Sequence, residues 1–172
     1  MRKFLTLTAI ALALGAAGCA RKRGGVNSTP PVAEAPGTAA ANPDDAGELT
    51  ELPAMQAALR AAAGSDTIYF NTDKSEIDAP SQATLAAQAK WMLANPAVRA
   101  SVEGHADERG TREYNQALGE RRAQAAKLYL MSKGVPEARL LTVSWGKERP
   151  VAVGSTEQAW AQNRRAVTVV VK

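Results

Sequence analysis

The pattern of apolar and polar positions is clearest in the middle of the chain, where its period changes. Val98, Ala100 and Val102 alternate with polar residues, which is typical of a strand with one buried face. Gly104 is expected to end this strand, and Gly110 is expected to break the loop that follows it. The sequence therefore predicts a strand that ends in a polar loop.

A long amphipathic helix is predicted after this loop. Thr111 is a suitable N-cap residue, and Glu113 lies in the first turn, where the helix dipole favours an anion. Gly134 is expected to end the helix. One stripe of the helix, widened by Ala125 and Tyr129, should pack on the sheet. Its members are Tyr114, Leu118, Arg122 and Ala126.

Arg122 is the one charged residue in this apolar stripe. A buried guanidinium without a partner is costly, so it must be paired or remain at the solvated edge of the helix face. Asp107 lies in the loop that leads into the same helix, and we predict that it is the partner of Arg122. Two interpretations follow from the residues alone: a structural ion pair, or a ligand site at the end of a strand, where ligands of α/β folds tend to bind.

Shorter patterns predict the remaining elements. An alanine-rich helix is predicted at 53–63, with Pro53 at its first position and Gly64 after its end. A second helix is predicted at 81–94, before Asn95 and Pro96. Further strands are predicted at 67–70, 140–144 and 166–171, a loop at 145–150, and a short helix at 157–163.

The composition is that of a soluble globular protein. Of the 172 residues, 45% are hydrophobic and 22% are charged, which allows one domain of ordinary size with additional tails. The formal net charge is +4, but Arg2 and Lys3 belong to a segment that we expect to be removed, which leaves 19 basic against 17 acidic residues. A chain so close to neutrality offers no case for nucleic-acid binding.

Residues 1–18 are predicted to be a signal peptide. Arg2 and Lys3 supply the positive start, and an apolar run of fifteen residues follows from Phe4 to Gly18. This run is shorter than the ~20 residues that a membrane-spanning helix needs.

Cys19, the only cysteine, follows the signal peptide directly. The sequence LGAAGC at residues 14–19 resembles the bacterial lipobox, although Ala16 stands where Leu is commoner. That resemblance implies that Cys19 is acylated and becomes the new N-terminus. Because Ala20 rather than Asp follows it, the anchor is expected in the outer membrane, held by several acyl chains at ~0.8 kcal/mol per buried CH₂. The alternative is a secreted protein with one unpaired thiol.

Residues 19–52 are predicted to be a lipidated N-terminus followed by a flexible, disordered linker. Four prolines are mixed with Ala, Gly, Ser and Thr, and no apolar period survives in this stretch. A tether of this length has a coil span of roughly 30 Å, which suits a membrane-anchored domain that reaches a nearby polymer. The folded domain is predicted at 53–172.

Four segments of that domain carry a family resemblance. They are YFNTDKSEI at 69–77, VEGHADERGT at 102–111, NQALGERRA at 115–123 and NRRAV at 163–167. In this order they resemble the OmpA-like C-terminal domain family, and within it the peptidoglycan-associated lipoproteins. The resemblance covers about residues 66–172. It implies an α/β sandwich in which helices cover one face of a mixed four-stranded sheet.

The resemblance also implies a site and its ligand. Members of the family bind the diaminopimelate-containing stem peptide of peptidoglycan without covalent attachment. Asp107 and Arg122 would be the charged pair that holds the ammonium and carboxylate groups of the ligand. The chain departs from the family pattern at Asn71, where Asp is usual, and at Thr72, where an aromatic residue is common. The residues expected to line the pocket are Phe70, Asn71, Ala106, Asn115 and Leu118.

The cellular role implied by the resemblance is structural. The protein is expected to be a lipid-anchored outer-membrane protein whose domain faces the periplasm, binds peptidoglycan, and contacts TolB and other proteins of the Tol-Pal system. Trp160 could serve as a surface anchor for such a partner, although core packing is the default for a tryptophan. The alternatives are an OmpA-like lipoprotein outside the Tol system and a periplasmic spacer that binds no cell wall.

An enzymatic or metal site is the competing interpretation of the polar loop, which contains Glu103, His105, Asp107 and Glu108. His105 is the only histidine, and zinc sites usually need three or four ligands in a defined geometry. Ser101 is the only serine near His105, and no set of nucleophile, base and orienting residue is visible. We therefore expect no catalysis, cofactor or metal, and we predict that His105 fixes the loop before Asp107.

Overall fold

The computed structural model describes the backbone of residues 43–171 and the side chains of residues 51–171. The predicted signal peptide, Cys19 and the predicted linker as far as residue 42 lie outside the described residues. Within the described part of the chain, no helix is both long and apolar enough to cross a membrane. The helices and strands are α1 Pro43–Ala63, β1 Thr67–Tyr69, α2 Ala79–Ala94, β2 Arg99–His105, α3 Arg112–Ser132, β3 Leu140–Gly146, α4 Glu157–Asn163 and β4 Arg165–Val171.

The four strands form one mixed sheet in the order β1-β4-β2-β3. Strand β4 is antiparallel to both of its neighbours, with Ala166 opposite Ile68 on one side and Val170 opposite Ala100 on the other. Strands β2 and β3 are parallel, and α3 lies between them in the chain. The predicted mixed four-stranded sheet is therefore confirmed.

Helices α2 and α3 cover one face of this sheet, as predicted. Along β4, buried residues alternate with half-buried ones, and the buried set points toward the helices. The hydroxyl of Thr168 donates to Oε1 of Gln88 on α2 at 2.7 Å, so even the polar groups of this layer are paired. The core between the layers includes Leu85, Met92, Val102, Leu130, Leu140 and Ala166.

The contact between β2 and α3 explains Gly104. A Cβ atom at Gly104 would overlap the carbonyl oxygen of Gly119 on α3, so the two backbones touch at this point. The prediction that Gly104 ends the strand is wrong, because β2 continues through it to His105. This glycine serves the close packing of a helix on a strand rather than a chain break.

Helix α1 also differs from the prediction. It begins at Pro43, and Pro53 lies inside it rather than at its first position, so residues 43–52 of the predicted linker are helical. Pro53 removes one helical hydrogen bond, but tertiary contacts hold the helix. Leu59 is fully buried against Val98 and Val170, and the side-chain amide of Gln56 donates to the carbonyl of Thr168.

The remaining predictions agree with the structure to within two residues. Helix α4 has the predicted bounds, and α2 starts two residues earlier, at Ala79, with Asp78 as its N-cap. Strand β3 continues into the predicted loop as far as Gly146. Trp145 therefore lies in the strand, where its indole donates to Glu103 at 2.9 Å.

Candidate functional site

The candidate site lies where β2 ends and α3 begins. The loop between them carries Asp107, and Thr111 caps α3 as predicted by accepting a hydrogen bond from the backbone N–H of Tyr114 at 3.1 Å. This loop faces the segment that follows β1, and the two line a cavity of about 240 Å³ that is open to solvent. The residues that line it are Thr72, Asp73, Asp107, Arg109, Gly110 and Tyr114.

Asp107 presents a carboxylate to this cavity, although the residue is only 7% exposed. Arg109 binds it through Nη2 to Oδ2 at 2.6 Å and through Nε to Oδ1 at 3.1 Å, and the backbone N–H of Arg109 also donates to Oδ1 at 3.1 Å. Burial alone would raise the pKa of the Asp107 carboxyl, but the hydrogen bonds from Arg109 and Arg164 hold this pKa below its usual value. The site therefore holds a carboxylate that stays ionised.

Arg164 supports this carboxylate from the protein interior. Its side chain is 8% exposed, and its Nη1 lies 3.5 Å from Oδ2 of Asp107. The same guanidinium donates to the carbonyl of Phe70 at 3.1 Å and to Glu157 on α4 at 2.7 Å. Because Arg164 joins three segments of the chain, it fixes where Asp107 stands.

The structure contradicts the predicted pairing of Arg122 with Asp107. Arg122 has no exposed surface, and each nitrogen of its guanidinium donates to a backbone carbonyl: Nε to Lys74 at 2.9 Å, Nη1 to His105 at 2.7 Å and Nη2 to Asn71 at 3.1 Å. Asp107 is not among its hydrogen-bond partners in the described residues. Three carbonyl oxygens satisfy the buried cation instead, and they tie the segment after β1 to the end of β2.

Electrostatics still links the two residues. Burial lowers the pKa of Arg122 to about 10, and the negative charge of Asp107 opposes part of this shift. Arg122 therefore remains protonated at neutral pH, and its guanidinium carbon lies 5.2 Å from the ring centre of Phe70. The result is a fixed positive charge behind the wall of the cavity.

The predicted pocket residues occupy different places in the structure. Of the seven site residues expected from the sequence, only Asp107 lines the 240 Å³ cavity. Phe70 and Asn71 line a neighbouring cleft of about 310 Å³ beside α4. The other predicted pocket residues are buried behind the loop: Ala106, Asn115 and Leu118. The side-chain amide of Asn115 donates there to the carbonyl of Arg109 at 2.6 Å.

The sequence did not predict the other lining residues. Arg109 follows Asp107 by two positions, and its role depends on a loop conformation that no pattern in the sequence reveals. Tyr114 was expected on the buried stripe of α3, but it is 44% exposed and its hydroxyl lies 3.2 Å from Oδ1 of Asp73. Asp73 adopts a left-handed backbone conformation with φ of 55°, which the segment after β1 uses to turn.

Residues from other elements brace the loop. Lys147, just after β3, donates to the carbonyl of Gly110 at 2.7 Å. The indole of Trp160 on α4 donates to Glu108 at 3.0 Å, and its ring lies 4.1 Å from the guanidinium carbon of Arg109. Trp160 therefore packs on the site residue Arg109, outside the main core of the domain.

His105 lies at the base of the loop. It is 3% exposed, and its Nδ1 has no hydrogen-bond partner among the described residues. Burial, with the positive charges of Arg165 and Arg149, lowers the pKa of His105 to about 4, so the ring is neutral at pH 7. No group of three or more His, Cys, Asp or Glu side chains that could hold a metal ion occurs in the described part of the chain.

Comparison with known proteins gives consistent results. A family model described as the OmpA family matches residues 69–164. The chain is 46% identical over 168 residues to a peptidoglycan-associated lipoprotein from Agrobacterium fabrum, covering 94% of this chain and 85% of that protein. It is 47% identical over 168 residues to a protein of the same name from Pseudomonas putida, covering 96% of each.

A solved structure has the same fold. The crystal structure of the peptidoglycan-associated lipoprotein from Burkholderia pseudomallei superposes with a TM-score of 0.61 at 42% sequence identity. The match covers 63% of this chain and 92% of that one.

Proposed function

The chain belongs to the OmpA family, among its peptidoglycan-associated lipoproteins, and from this membership we propose that it binds peptidoglycan without covalent attachment. The ligand would be the diaminopimelate-containing stem peptide, and the protein would perform no chemistry on it. With Cys19 acylated, the protein would tie the outer membrane to the cell wall from the periplasmic side.

One observation carries this proposal: an ionised carboxylate, Asp107, at an open cavity in the region that matches the family. Its pKa is held below the usual value, and Arg164 fixes its position from behind. A carboxylate of this kind suits the free ammonium group of a diaminopimelate side chain. It lies partly buried, where a charge-assisted hydrogen bond is stronger than at a fully exposed surface.

Arg122 would act on the same site from behind the cavity wall. Its three hydrogen bonds hold the carbonyls of Asn71, Lys74 and His105, and these residues belong to the two segments that frame the cavity. We propose that Arg122 maintains the shape of the site and adds positive charge near the ligand carboxylate. Phe70, Asn71, Ala106, Asn115 and Leu118 would support the same two segments.

Sedimentation with purified diaminopimelate-type sacculi tests the proposal. Asp107→Asn should reduce the fraction that sediments with the sacculi at least tenfold, because the amide cannot replace the negative charge opposite an ammonium group. Free diaminopimelate should release the wild-type protein. Glu137→Gln is the matched control, since Glu137 forms an exposed ion pair with Lys127 on another part of the surface. Wild-type protein that remains in the supernatant would contradict the proposal.

The proposed partner is TolB, by resemblance to other peptidoglycan-associated lipoproteins. Membership in the family is compatible with a lipoprotein inside or outside the Tol system, so this part needs its own measurement. Co-purification of TolB with the full chain is the expected result. A chain that binds sacculi but never co-purifies with TolB would belong outside that system.

A further inference from the structure

We propose that Arg109 is an exchangeable cation of the site, which neutralises Asp107 in the empty protein and pairs with the carboxylate of the ligand once an ammonium group has replaced it. This inference rests on the proposed function and deepens it. It makes Arg109 the residue that causes the site to bind diaminopimelate peptides more tightly than lysine peptides.

The first step of the argument is that Asp107 is already occupied. Both of its carboxylate oxygens accept hydrogen bonds from the Arg109 side chain, at 2.6 and 3.1 Å. A ligand ammonium group needs the same oxygens, so it must displace this side chain. The backbone N–H of Arg109 and the guanidinium of Arg164 can keep their contacts with Asp107 during the exchange.

The second step is that Arg109 can leave when an ammonium group takes its place. Its side chain is 38% exposed, so the guanidinium can turn towards solvent, and the incoming ammonium group keeps the nearly buried carboxylate of Asp107 paired. The guanidinium also lies against the ring of Trp160, and its Nη2 is 3.4 Å from the hydroxyl of Thr72. These neighbours would keep the displaced side chain at the mouth of the cavity rather than in bulk solvent.

The third step is that no other residue lining the cavity carries a positive charge for the ligand carboxylate, although the hydroxyls of Thr72 and Tyr114 can donate hydrogen bonds to it. Arg109 is the only cation among the six residues that line the cavity described above. Arg122 has no exposed surface, and using one of its nitrogens for a ligand would leave a backbone carbonyl unpaired. The side chain that gives up Asp107 is therefore the one cation of the cavity lining that is available for the carboxylate.

The exchange has a consequence for specificity. Diaminopimelate carries an ammonium and a carboxylate group on the same terminal carbon, so it replaces both members of the Arg109–Asp107 pair. A lysine side chain carries the ammonium group alone. Lysine would displace Arg109 from Asp107 without offering it a new partner, and a polar site rejects such an analogue.

Calorimetric titration of the full chain with two synthetic tripeptides tests the proposal: L-Ala-γ-D-Glu-meso-diaminopimelate and its counterpart with L-Lys. Wild-type protein should prefer the diaminopimelate peptide by at least about tenfold. Arg109→Gln should bind that peptide about tenfold more weakly and the lysine peptide no more weakly, so that the preference falls to about threefold or less. Arg109→Lys should recover part of the preference. Arg112→Gln is the control, because the side chain of Arg112 is 75% exposed, pairs with Glu148 and does not line the cavity.

Several results would overturn the exchange. If Arg109→Gln binds both peptides more tightly, Arg109 only blocks the site. If Arg109→Gln weakens the binding of both peptides equally, or keeps the wild-type preference, and thermal melting shows that the variant is folded, then Arg109 does not bind the ligand carboxylate. Wild-type protein that binds neither peptide would overturn the proposed function and, with it, the exchange. A preference for the diaminopimelate peptide that survives Arg109→Gln would overturn the exchange alone.

Discussion

At the scale of single residues, Arg122 is a buried cation that three backbone carbonyls, rather than a carboxylate, satisfy. Its place in an apolar stripe correctly predicted that the guanidinium needs partners. The predicted partner was wrong, because the actual partners are backbone carbonyls. Every residue has one, so a sequence pattern cannot indicate which of them Arg122 binds. All three carbonyls belong to segments that come together only in the fold, 17 to 51 residues away in the chain. Side-chain patterns alone therefore favoured the nearby Asp107.

The structural role of Arg122 leads to a prediction about stability. Arg122→Met keeps most of the side-chain volume but removes the guanidinium donor of the Lys74 and His105 carbonyls, whereas the carbonyl of Asn71 keeps the backbone N–H of Lys74 at 3.2 Å. Each buried unpaired group costs about 1–3 kcal/mol, so the free energy of unfolding should fall by about 3 kcal/mol or more. Wall binding should fall as well, because the two segments that frame the cavity lose their link.

Denaturant titration of Arg122→Met beside Arg121→Met separates this role from a general effect of removing an arginine. Arg121 is the exposed neighbour on the same helix, and its substitution should change stability by less than about 0.5 kcal/mol. A fully stable Arg122→Met protein that has lost wall binding would instead favour direct contact between Arg122 and the ligand.

At the scale of elements, local patterns predicted most helices and strands, and errors occurred where distant contacts decide the outcome. Helix α4 and the cap of α3 depend on neighbouring residues, and both were predicted correctly. The end of β2 was placed too early because a glycine in a strand resembles a chain break. The glycine at position 104 is instead needed for close packing, because its backbone touches that of Gly119, fifteen positions later in the chain. The start of α1 was missed because Pro53 suggested a helix start.

The N-terminal helix yields the prediction at this scale. Leu59 is fully buried against Val98 and Val170, so Leu59→Ala should lower the free energy of unfolding by about 2–4 kcal/mol. Met55 on the same helix is 37% exposed, and Met55→Ala should cost less than about 1 kcal/mol. Both values can be measured by denaturant unfolding.

The same variant should leave wall binding unchanged. Val170 pairs with Ala100 near the start of β2, whereas Asp107 follows the end of that strand, so α1 contacts the sheet at the end opposite the site. A Leu59→Ala protein that is folded but fails to sediment with sacculi would show coupling between the two ends. Equal stability of Leu59→Ala and wild type would instead mean that α1 is not part of the folded domain.

At the scale of the whole molecule, stability should depend on pH through its single histidine. The pKa of His105 is about 4 in the folded protein, below its ordinary value of 6.5. Between these values the unfolded chain binds a proton that the folded chain does not. The contribution of His105 to the free energy of unfolding is therefore fully present above pH 6.5 and is lost as the pH falls towards 4. The difference in pKa corresponds to about 3 kcal/mol.

Acidic groups act in the same direction but at lower pH. The pKa values of Asp66 and Asp107 are lower than usual in the folded protein, so their contribution is present above about pH 4 and is lost below it. His105 is the only histidine, which makes it the main source of any change between pH 6.5 and 4.5. Denaturant unfolding of the wild type should show a steady fall over this interval, and His105→Gln should flatten it. A wild-type protein equally stable at pH 7 and pH 4.5 would mean that His105 binds its proton as readily in the folded protein as in the unfolded chain, contrary to the effect expected from its burial.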